Sequence, residues 1–395
     1  MKIIGSALYA NTSLVENVRN TGVINFIDID GTLAMGGMPT TTELEARRLS
    51  RHEARRRGAS VFITARTPEL VMLSHEYQRS VEMGFLRPPP RAVYDRDLEY
   101  RFSVPLEDLT EYRDVVGGVD SIASMGVGVM VARNGGYAMD REYEESMVGE
   151  IVCGMWRELV WDVLLRADND GDIVRALAPL EFPQNYRDAQ IDVAPLPYRF
   201  QLDWNGDGAG DAKRSMRQRL VSWFRSRPEL QVDFVDESNP AKGRYTLYLL
   251  HRAFNKERMH ERIVEQVLLH TGMSPRNLTV NVFGDTLTDL RQIEAGGWRF
   301  GQSFDGSSVN MNFVLVGASR LSDPIRRALP EFGGESLGWL PTLEKTGQAG
   351  IYDVRIEHAD PGTRRFILCD DAFPGEIGPQ SIRSFYERGL DRIHE

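Results

Sequence analysis

The chain contains few cysteines and lysines, and it has no long apolar run. Its 395 residues include two cysteines, Cys153 and Cys369, which lie far apart in the sequence. Two distant cysteines exclude a disulfide framework and a cysteine-based metal site, and they fit a reducing compartment, so we expect a cytoplasmic protein. No stretch approaches the roughly 18 apolar residues that a membrane-spanning helix requires, so we expect no membrane partner.

The charged residues exclude two further classes of function. The seven histidines never pair at a spacing of four residues, which excludes a zinc-protease helix. A formal net charge of −10 argues against nucleic acid as the main partner. Of the 47 basic residues, five are lysines and 42 are arginines. Because lysine is rare, its presence at a candidate functional position is less readily explained by chance. The length is sufficient for two or three domains of an ordinary globular protein.

Two acidic residues follow an apolar, β-branched run at residues 23–27. The run predicts a buried strand that ends in Asp28 and Asp30, and Gly31 allows the chain to turn there. An unpaired carboxylate is costly to bury, but the carboxyl ends of parallel strands are where α/β folds place their ligands. One of these acids can attack an electrophile, the other can transfer a proton, and both can help to hold a cation.

Four further candidate residues follow in the sequence. A second predicted strand ends at Thr64, and Lys256 stands at the start of a helical pattern. A third strand is followed by Asp285 and, four residues later, by Asp289. For Asp289 there is a structural alternative, because an acid in the first turn of a helix is favoured by the helix dipole.

In this order the four motifs resemble those of the haloacid dehalogenase superfamily of phosphotransferases. The resemblance spans residues 23–289 and implies an α/β fold, with a Rossmann-like core around a parallel sheet and an inserted α+β cap. It also implies four catalytic roles. Asp28 would be the nucleophile and Asp30 the general acid and base. Thr64 would donate a hydrogen bond to a phosphoryl oxygen, and the Lys256 ammonium would offset negative charge.

The resemblance also implies a Mg²⁺ site. The expected ligands are Asp28, Asp285, the main-chain carbonyl of Asp30 and, directly or in the outer sphere, Asp289; hard oxygen ligands of this kind are those that Mg²⁺ prefers. The family lysine follows the strand predicted at 245–250, which favours Lys256 over Lys242.

Changes in pattern along the chain divide it into four parts. Residues 1–136 and 241–330 are expected to form the two parts of the core, and 313–316 its last strand. Residues 137–240 mix predicted strands and helices, which is typical of an α+β cap. Residues 331–395 are rich in glycine and proline, and we expect them to form a C-terminal extension.

These features predict a Mg²⁺-dependent phosphomonoester hydrolase that acts on a small phosphorylated metabolite through an aspartyl-phosphate. The order of the motifs looks most like the sugar-phosphate phosphatase branch, which includes sucrose-phosphate and mannosyl-phosphoglycerate phosphatases. Two alternatives stay open at this point, a phosphomutase of the same fold and a non-catalytic binding protein of this fold. The segments outside the resemblance could serve to form a homo-oligomer.

Overall fold

The fold was determined as a computed structural model, and it forms two compact units. The first comprises Met1–Ser124, Val129–Asp140 and Lys256–Glu395, and the second comprises Met125–Gly128 and Arg141–Asn255. The structure describes residues 6–33, 41–65, 93–94, 100–101, 119–126, 128–133, 136–148, 199–203, 218, 221–222, 224–236, 246–286, 289, 292, 309–316, 342–355, 364–376 and 378–391.

A ten-stranded sheet forms the centre of the first unit. In chain order the described strands are β1 (Val23–Ile27), β2 (Ala59–Thr64), β3 (Val93–Tyr94), β4 (Tyr100–Arg101), β5 (Ser121–Ser124), β6 (Gly128–Arg133), β7 (Gly136–Met139), β8 (Arg199–Asp203), β9 (Val232–Asp236), β10 (Thr246–His251), β11 (Thr279–Gly284), β12 (Asn310–Leu315), β13 (Thr342–Lys345), β14 (Ile351–Arg355) and β15 (Arg364–Leu368). The strand order in the ten-stranded sheet is β13-β14-β15-β12-β11-β1-β2-β5-β6-β7.

The middle of this sheet is parallel. β1 pairs in parallel with β2 and β11, β2 with β5, β11 with β12, and β12 with β15. Every residue of β1, β2 and β11 is buried, as expected for strands covered on both faces. The sheet therefore confirms the predicted α/β class, and its parallel strands bring their carboxyl ends to one edge.

Helices cover both faces of the sheet. Phe26 stacks on His260 of one helix, whereas the neighbouring Ile27 belongs to the core cluster that contains Phe385 of another. Since alternate residues of a strand face opposite sides, these helices lie on opposite faces. No described helix is both long and apolar enough to cross a membrane. The described helices are α1 (Ser13–Thr21), α2 (Thr41–Arg57), α3 (Arg141–Val148), α4 (Lys256–Thr271), α5 (Cys369–Ala372) and α6 (Pro379–Glu387).

The C-terminal segment differs from the expectation of a separate extension beyond residue 331. β15 pairs in parallel with β12, the strand predicted to be the last of the core, and β14 and β13 follow in antiparallel order. α6 packs against α2, where Ser50 donates a hydrogen bond to the carbonyl of Pro379. The described part of the segment therefore belongs to the central sheet and to a helix packed on it.

A ladder of three asparagines crosses the sheet beneath the C-terminal segment. Asn25, Asn281 and Asn312 stand opposite one another on β1, β11 and β12. Asn281 donates to Asn25 Oδ1 at 2.9 Å, and Asn312 donates to Asn281 Oδ1 at 2.8 Å. Asn312 also donates to the carbonyl of Leu390 at 3.1 Å. Because all three side chains are buried, the ladder fixes strand register and attaches the residues after α6 to the sheet.

The second unit contains a three-stranded antiparallel sheet with strand order β8-β10-β9. Beside it, Tyr143 of α3 donates a hydrogen bond to the carbonyl of Ala253 and packs edge-on against Phe254. β10 follows the cap boundary predicted at residue 240, yet it pairs with β8 and β9, which lie within the predicted cap. Much of the predicted cap lies outside the described residues, and its role as a cap stays a prediction.

We expect Asn281→Ala to lower the free energy of unfolding by about 2–3 kcal/mol, because the buried Asn25 Oδ1 loses its donor and Asn312 keeps only its hydrogen bond to Leu390. Chemical denaturation measures this change. The matched control is Asn310→Ala on β12, where an exposed hydrogen bond to Arg276 is lost and the expected cost is about 0.5 kcal/mol or less. Equal losses in the two variants would contradict the role of the ladder.

We also expect stability to fall as the pH is lowered through the range in which His260 titrates. Burial lowers the pKa of His260 from 6.5 to about 4. The unfolded chain therefore takes up a proton at a higher pH than the folded protein, and stability that is present above pH 6.5 is lost on the way to about pH 4. Denaturation at a series of pH values should show a shallower loss for His260→Phe; an unchanged slope would contradict the shift.

Candidate active site

The predicted site residues lie at the carboxyl edge of the central sheet. Asp28 follows β1, and its main-chain N–H donates to the carbonyl of Phe283 at 3.0 Å. Thr64 is the last residue of β2, and Asp285 follows the last residue of β11. Since β1 lies between β2 and β11, the three strand ends are neighbours. This edge is where open α/β sheets bind ligands.

Lys256 connects two acids of this edge. It is the first residue of α4, and its Nζ donates to Asp28 Oδ1 at 2.9 Å and to Asp289 Oδ1 at 2.6 Å. All three side chains are buried. Burial by itself would lower the pKa of Lys256, but the charges of Asp28 and Asp289 outweigh it and raise that pKa. The ammonium is therefore held in its charged form between two carboxylates.

Both carboxylate oxygens of Asp289 accept hydrogen bonds. Its Oδ1 accepts from Lys256, while its Oδ2 accepts from the main-chain N–H of Thr286 at 3.2 Å and from the Thr286 hydroxyl at 2.7 Å. Thr286 and Asp289 have the spacing of a capping box, in which the acid accepts from the main-chain N–H of the residue that caps the helix. A Cβ on Gly284 would lie 2.2 Å from the Asp289 Cβ, so only glycine allows this approach.

Three buried carboxylates form one cluster at the site. Asp28, Asp285 and Asp289 each offer an oxygen, and these oxygens lie within 4.8 Å of one another. Burial raises the pKa of Asp28 well above its ordinary value, Lys256 opposes this, and the charges of Asp289, Asp285 and Asp30 add to it. A single ammonium does not balance this many carboxylates.

The cluster fits a divalent cation by its chemistry. Carboxylate oxygens at short mutual distances are the donor set that Mg²⁺ and Ca²⁺ take in proteins. The main chain at Gly31, with φ of 79°, leaves room for Asp285, because a Cβ there would lie 2.0 Å from Asp285 Oδ2. Asp28, Asp285 and Asp289 are therefore the residues that could hold the metal.

Asp30 and Thr64 are placed differently from the cluster. The side chain of Asp30 is exposed and does not belong to the carboxylate cluster, although its charge acts on Asp28. Thr64 is fully buried at the end of β2. The structure thus brings together Asp28, Lys256, Asp285 and Asp289, while the roles of Asp30 and Thr64 stay predictions.

Sequence reasoning missed Thr286 and the contacts behind the cluster. The signal for Thr286 was present, because Thr286 and Asp289 match the capping-box pattern of a threonine followed three residues later by an acid. Nothing in the sequence marked His260 and Gln292, whose side chains meet at 3.1 Å in the core, because their contact joins residues that are 32 positions apart.

Comparison with known proteins gives similar solved structures at low identity. No family model and no curated protein matches the chain. The trehalose-6-phosphate phosphatase of Aspergillus fumigatus is 14% identical with a TM-score of 0.36, over 78% of this chain and 88% of that one. The C-terminal domain of the C. albicans trehalose-6-phosphate phosphatase is 12% identical with a TM-score of 0.38, over 75% and 82%. The IMP-nucleotidase of Plasmodium falciparum is 11% identical with a TM-score of 0.34, over 70% and 63%.

We expect Gly31→Ala to weaken Mg²⁺ binding by about tenfold or more, because its Cβ displaces the Asp285 carboxylate. Titration calorimetry measures this loss. Gly272→Ala is the matched control: its φ of 68° imposes the same backbone strain, but nothing lies within 4 Å of a Cβ there. Equal affinities of the two variants for Mg²⁺ would show that Asp285 does not bind the metal.

Proposed function

We propose that this protein is a Mg²⁺-dependent phosphomonoester hydrolase that works through an aspartyl-phosphate on Asp28. One observation supports this most strongly. The ammonium of Lys256 lies between Asp28 and Asp289 in a buried cluster that also contains Asp285, at the carboxyl edge of a parallel sheet. A nucleophile, a fixed positive charge and a cation site are the parts that phosphoryl transfer needs, because positioning and charge stabilisation supply most of its catalysis.

In the first step, an Asp28 carboxylate oxygen attacks the phosphorus of the substrate. The bond between phosphorus and the ester oxygen breaks, and Asp30 donates a proton to the departing alkoxide. An acyl phosphate on Asp28 and a free alcohol result. Covalent catalysis of this kind replaces one difficult displacement by two easier ones.

In the second step, Asp30 removes a proton from a water molecule as the water oxygen attacks the same phosphorus. The bond to Asp28 breaks, and inorganic phosphate leaves with the Asp28 carboxylate restored. The proton that Asp30 gives to the leaving group is thus replaced by one from the water, and water can reach Asp30 because its side chain is exposed.

Lys256 and Thr64 act on charge and orientation in both steps. The Lys256 ammonium opposes the effect of burial on the pKa of Asp28 and so favours the ionised nucleophile. The hydroxyl of Thr64, at the end of β2, donates a hydrogen bond to a phosphoryl oxygen. When bound by Asp28, Asp285 and Asp289, Mg²⁺ supplies the remaining positive charge for the phosphoryl group.

The proposed substrate is a small phosphorylated metabolite in the cytoplasm, with a sugar phosphate as the first candidate. The insertion between the second and third motifs supports this class, since the sugar-phosphate phosphatases that the sequence resembles carry a cap there. A release assay over sugar phosphates, nucleotides and p-nitrophenyl phosphate, with Mg²⁺ or with excess chelator, tests the proposal. Free phosphate from at least one ester, lost in chelator, is expected. An isomerised sugar phosphate would show a phosphomutase, and no turnover of any ester would contradict the proposal.

Asp28→Asn should abolish turnover while the fold is retained, because the amide has the shape of the carboxylate but lacks its charge and nucleophilicity. We expect a loss of at least about 10³-fold in kcat, the scale seen when a covalent nucleophile is removed. Asp353→Asn, which changes an exposed acid on β14, is the control and should keep full activity. Circular dichroism verifies the fold, and activity of Asp28→Asn above a few per cent would exclude this nucleophile.

A further inference from the structure

A second set of contacts lies behind the acidic cluster. The ring of His260 stacks on Phe26, with centroids 4.2 Å apart and an angle of 8° between the planes. On the same ring, Nδ1 lies 3.1 Å from Oε1 of Gln292. All three side chains are fully buried. Because the lowered pKa keeps His260 neutral, its Nδ1–H can donate to the Gln292 carbonyl oxygen without burying a charge.

Phe26 lies close in sequence to Asp28, and His260 lies close in sequence to Lys256. Phe26 precedes Asp28 by two residues at the end of β1, so their side chains leave the strand on the same side, roughly 6.6 Å apart along the chain. His260 follows Lys256 by four residues on α4, and side chains at this spacing share one face of a helix. The stack therefore joins the segments that carry Asp28 and Lys256.

Gln292 lies close in sequence to Asp289, the second acid that accepts a hydrogen bond from Lys256. It follows Asp289 by three residues, and both residues have helical backbone conformation. The hydrogen bond from His260 to Gln292 therefore joins the segments that carry Lys256 and Asp289. The three segments that meet through the hydrogen bonds of Lys256 thus meet a second time through His260.

We infer that His260 is a positioning residue for Lys256: its stack on Phe26 and its hydrogen bond to Gln292 fix the distances between the segments that carry Asp28, Lys256 and Asp289. A lysine side chain has four rotatable carbon–carbon bonds, so it keeps one position between two carboxylates only if the helix that carries it is fixed. Displacements of about 1 Å in a phosphoryl-transfer site cost up to about a hundredfold in rate. The catalytic meaning of this inference rests on the proposed function.

The test uses the 395-residue chain with two single variants and their combination. His260→Phe keeps a flat ring against Phe26 and removes the donor, while Gln292→Met removes the acceptor at similar side-chain length. The control is Asn17→Leu, which removes hydrogen bonds of 3.1 and 3.2 Å to Asp120. Asp120 accepts from the N–H of Ser60 near the start of β2, at the opposite end of the strand from Thr64.

The first measurement follows the Lys256 ammonium directly and requires no turnover. With five lysines in the chain, ¹⁵N-lysine labelling gives few side-chain signals, and Lys256→Met identifies the one from Lys256. In the native protein this signal should exchange its protons slowly. We expect exchange about tenfold faster in each single variant, equivalent to ~1.4 kcal/mol, and no further increase in the double variant because both changes remove one bond. Asn17→Leu should leave the signal unchanged.

The second measurement is steady-state kinetics of phosphate release. We expect kcat to fall about tenfold in both single variants, with KM within about twofold, because a displaced Lys256 affects the transition state more than substrate binding. An unchanged Lys256 signal with native kcat would overturn the inference and leave the proposed function intact. A native protein that releases no phosphate, but whose Lys256 signal depends on His260 and Gln292, would overturn the proposed function and leave the positioning of Lys256 intact.

Discussion

The site depends on the ammonium of Lys256, which is held between Asp28 and Asp289 inside the protein. A buried ion pair of this kind is costly to assemble, because the loss of hydration offsets much of the Coulomb attraction. It is retained most readily where it has a chemical use. Here the ammonium offsets part of the charge of three clustered carboxylates, and the remaining negative charge suits the cluster to a divalent cation.

The parallel strands in the middle of the sheet position the carboxylates of this site. β1 and β11 are neighbours, so Asp28 and Asp285 leave the sheet at one edge, and Gly31 and Gly284 let the carboxylates approach the main chain closely. The asparagine ladder fixes the register of these strands and of β12. Through the hydrogen bond from Asn312 to Leu390 it also holds the residues after α6. The C-terminal segment thus contributes to the rigidity of the core whose edge carries the site.

Much of this arrangement could be predicted from the sequence, because its signals are local. A buried strand followed by Asp28, and another followed by Asp285, indicate a polar edge of a parallel sheet without further information. Lysine is rare in the chain, which helped to select Lys256. The contacts of His260 with Phe26 and Gln292 join distant segments, and no local pattern encodes them. The place of β15 beside β12 was missed for the same reason, since strand order depends on pairings between segments far apart in sequence.

The proposed function requires that Asp28 carry the phosphoryl group during turnover. Acid quenching of the Asp30→Asn variant during reaction with p-nitrophenyl phosphate and Mg²⁺, followed by peptide mass spectrometry, tests it most directly. Because this variant lacks the proposed general base, its second step should be slowed, and a phosphorylated peptide that contains Asp28 should accumulate. Phosphate release by the native protein with no phosphoryl group on Asp28 in the quenched variant, or with phosphate on another residue, would contradict the account.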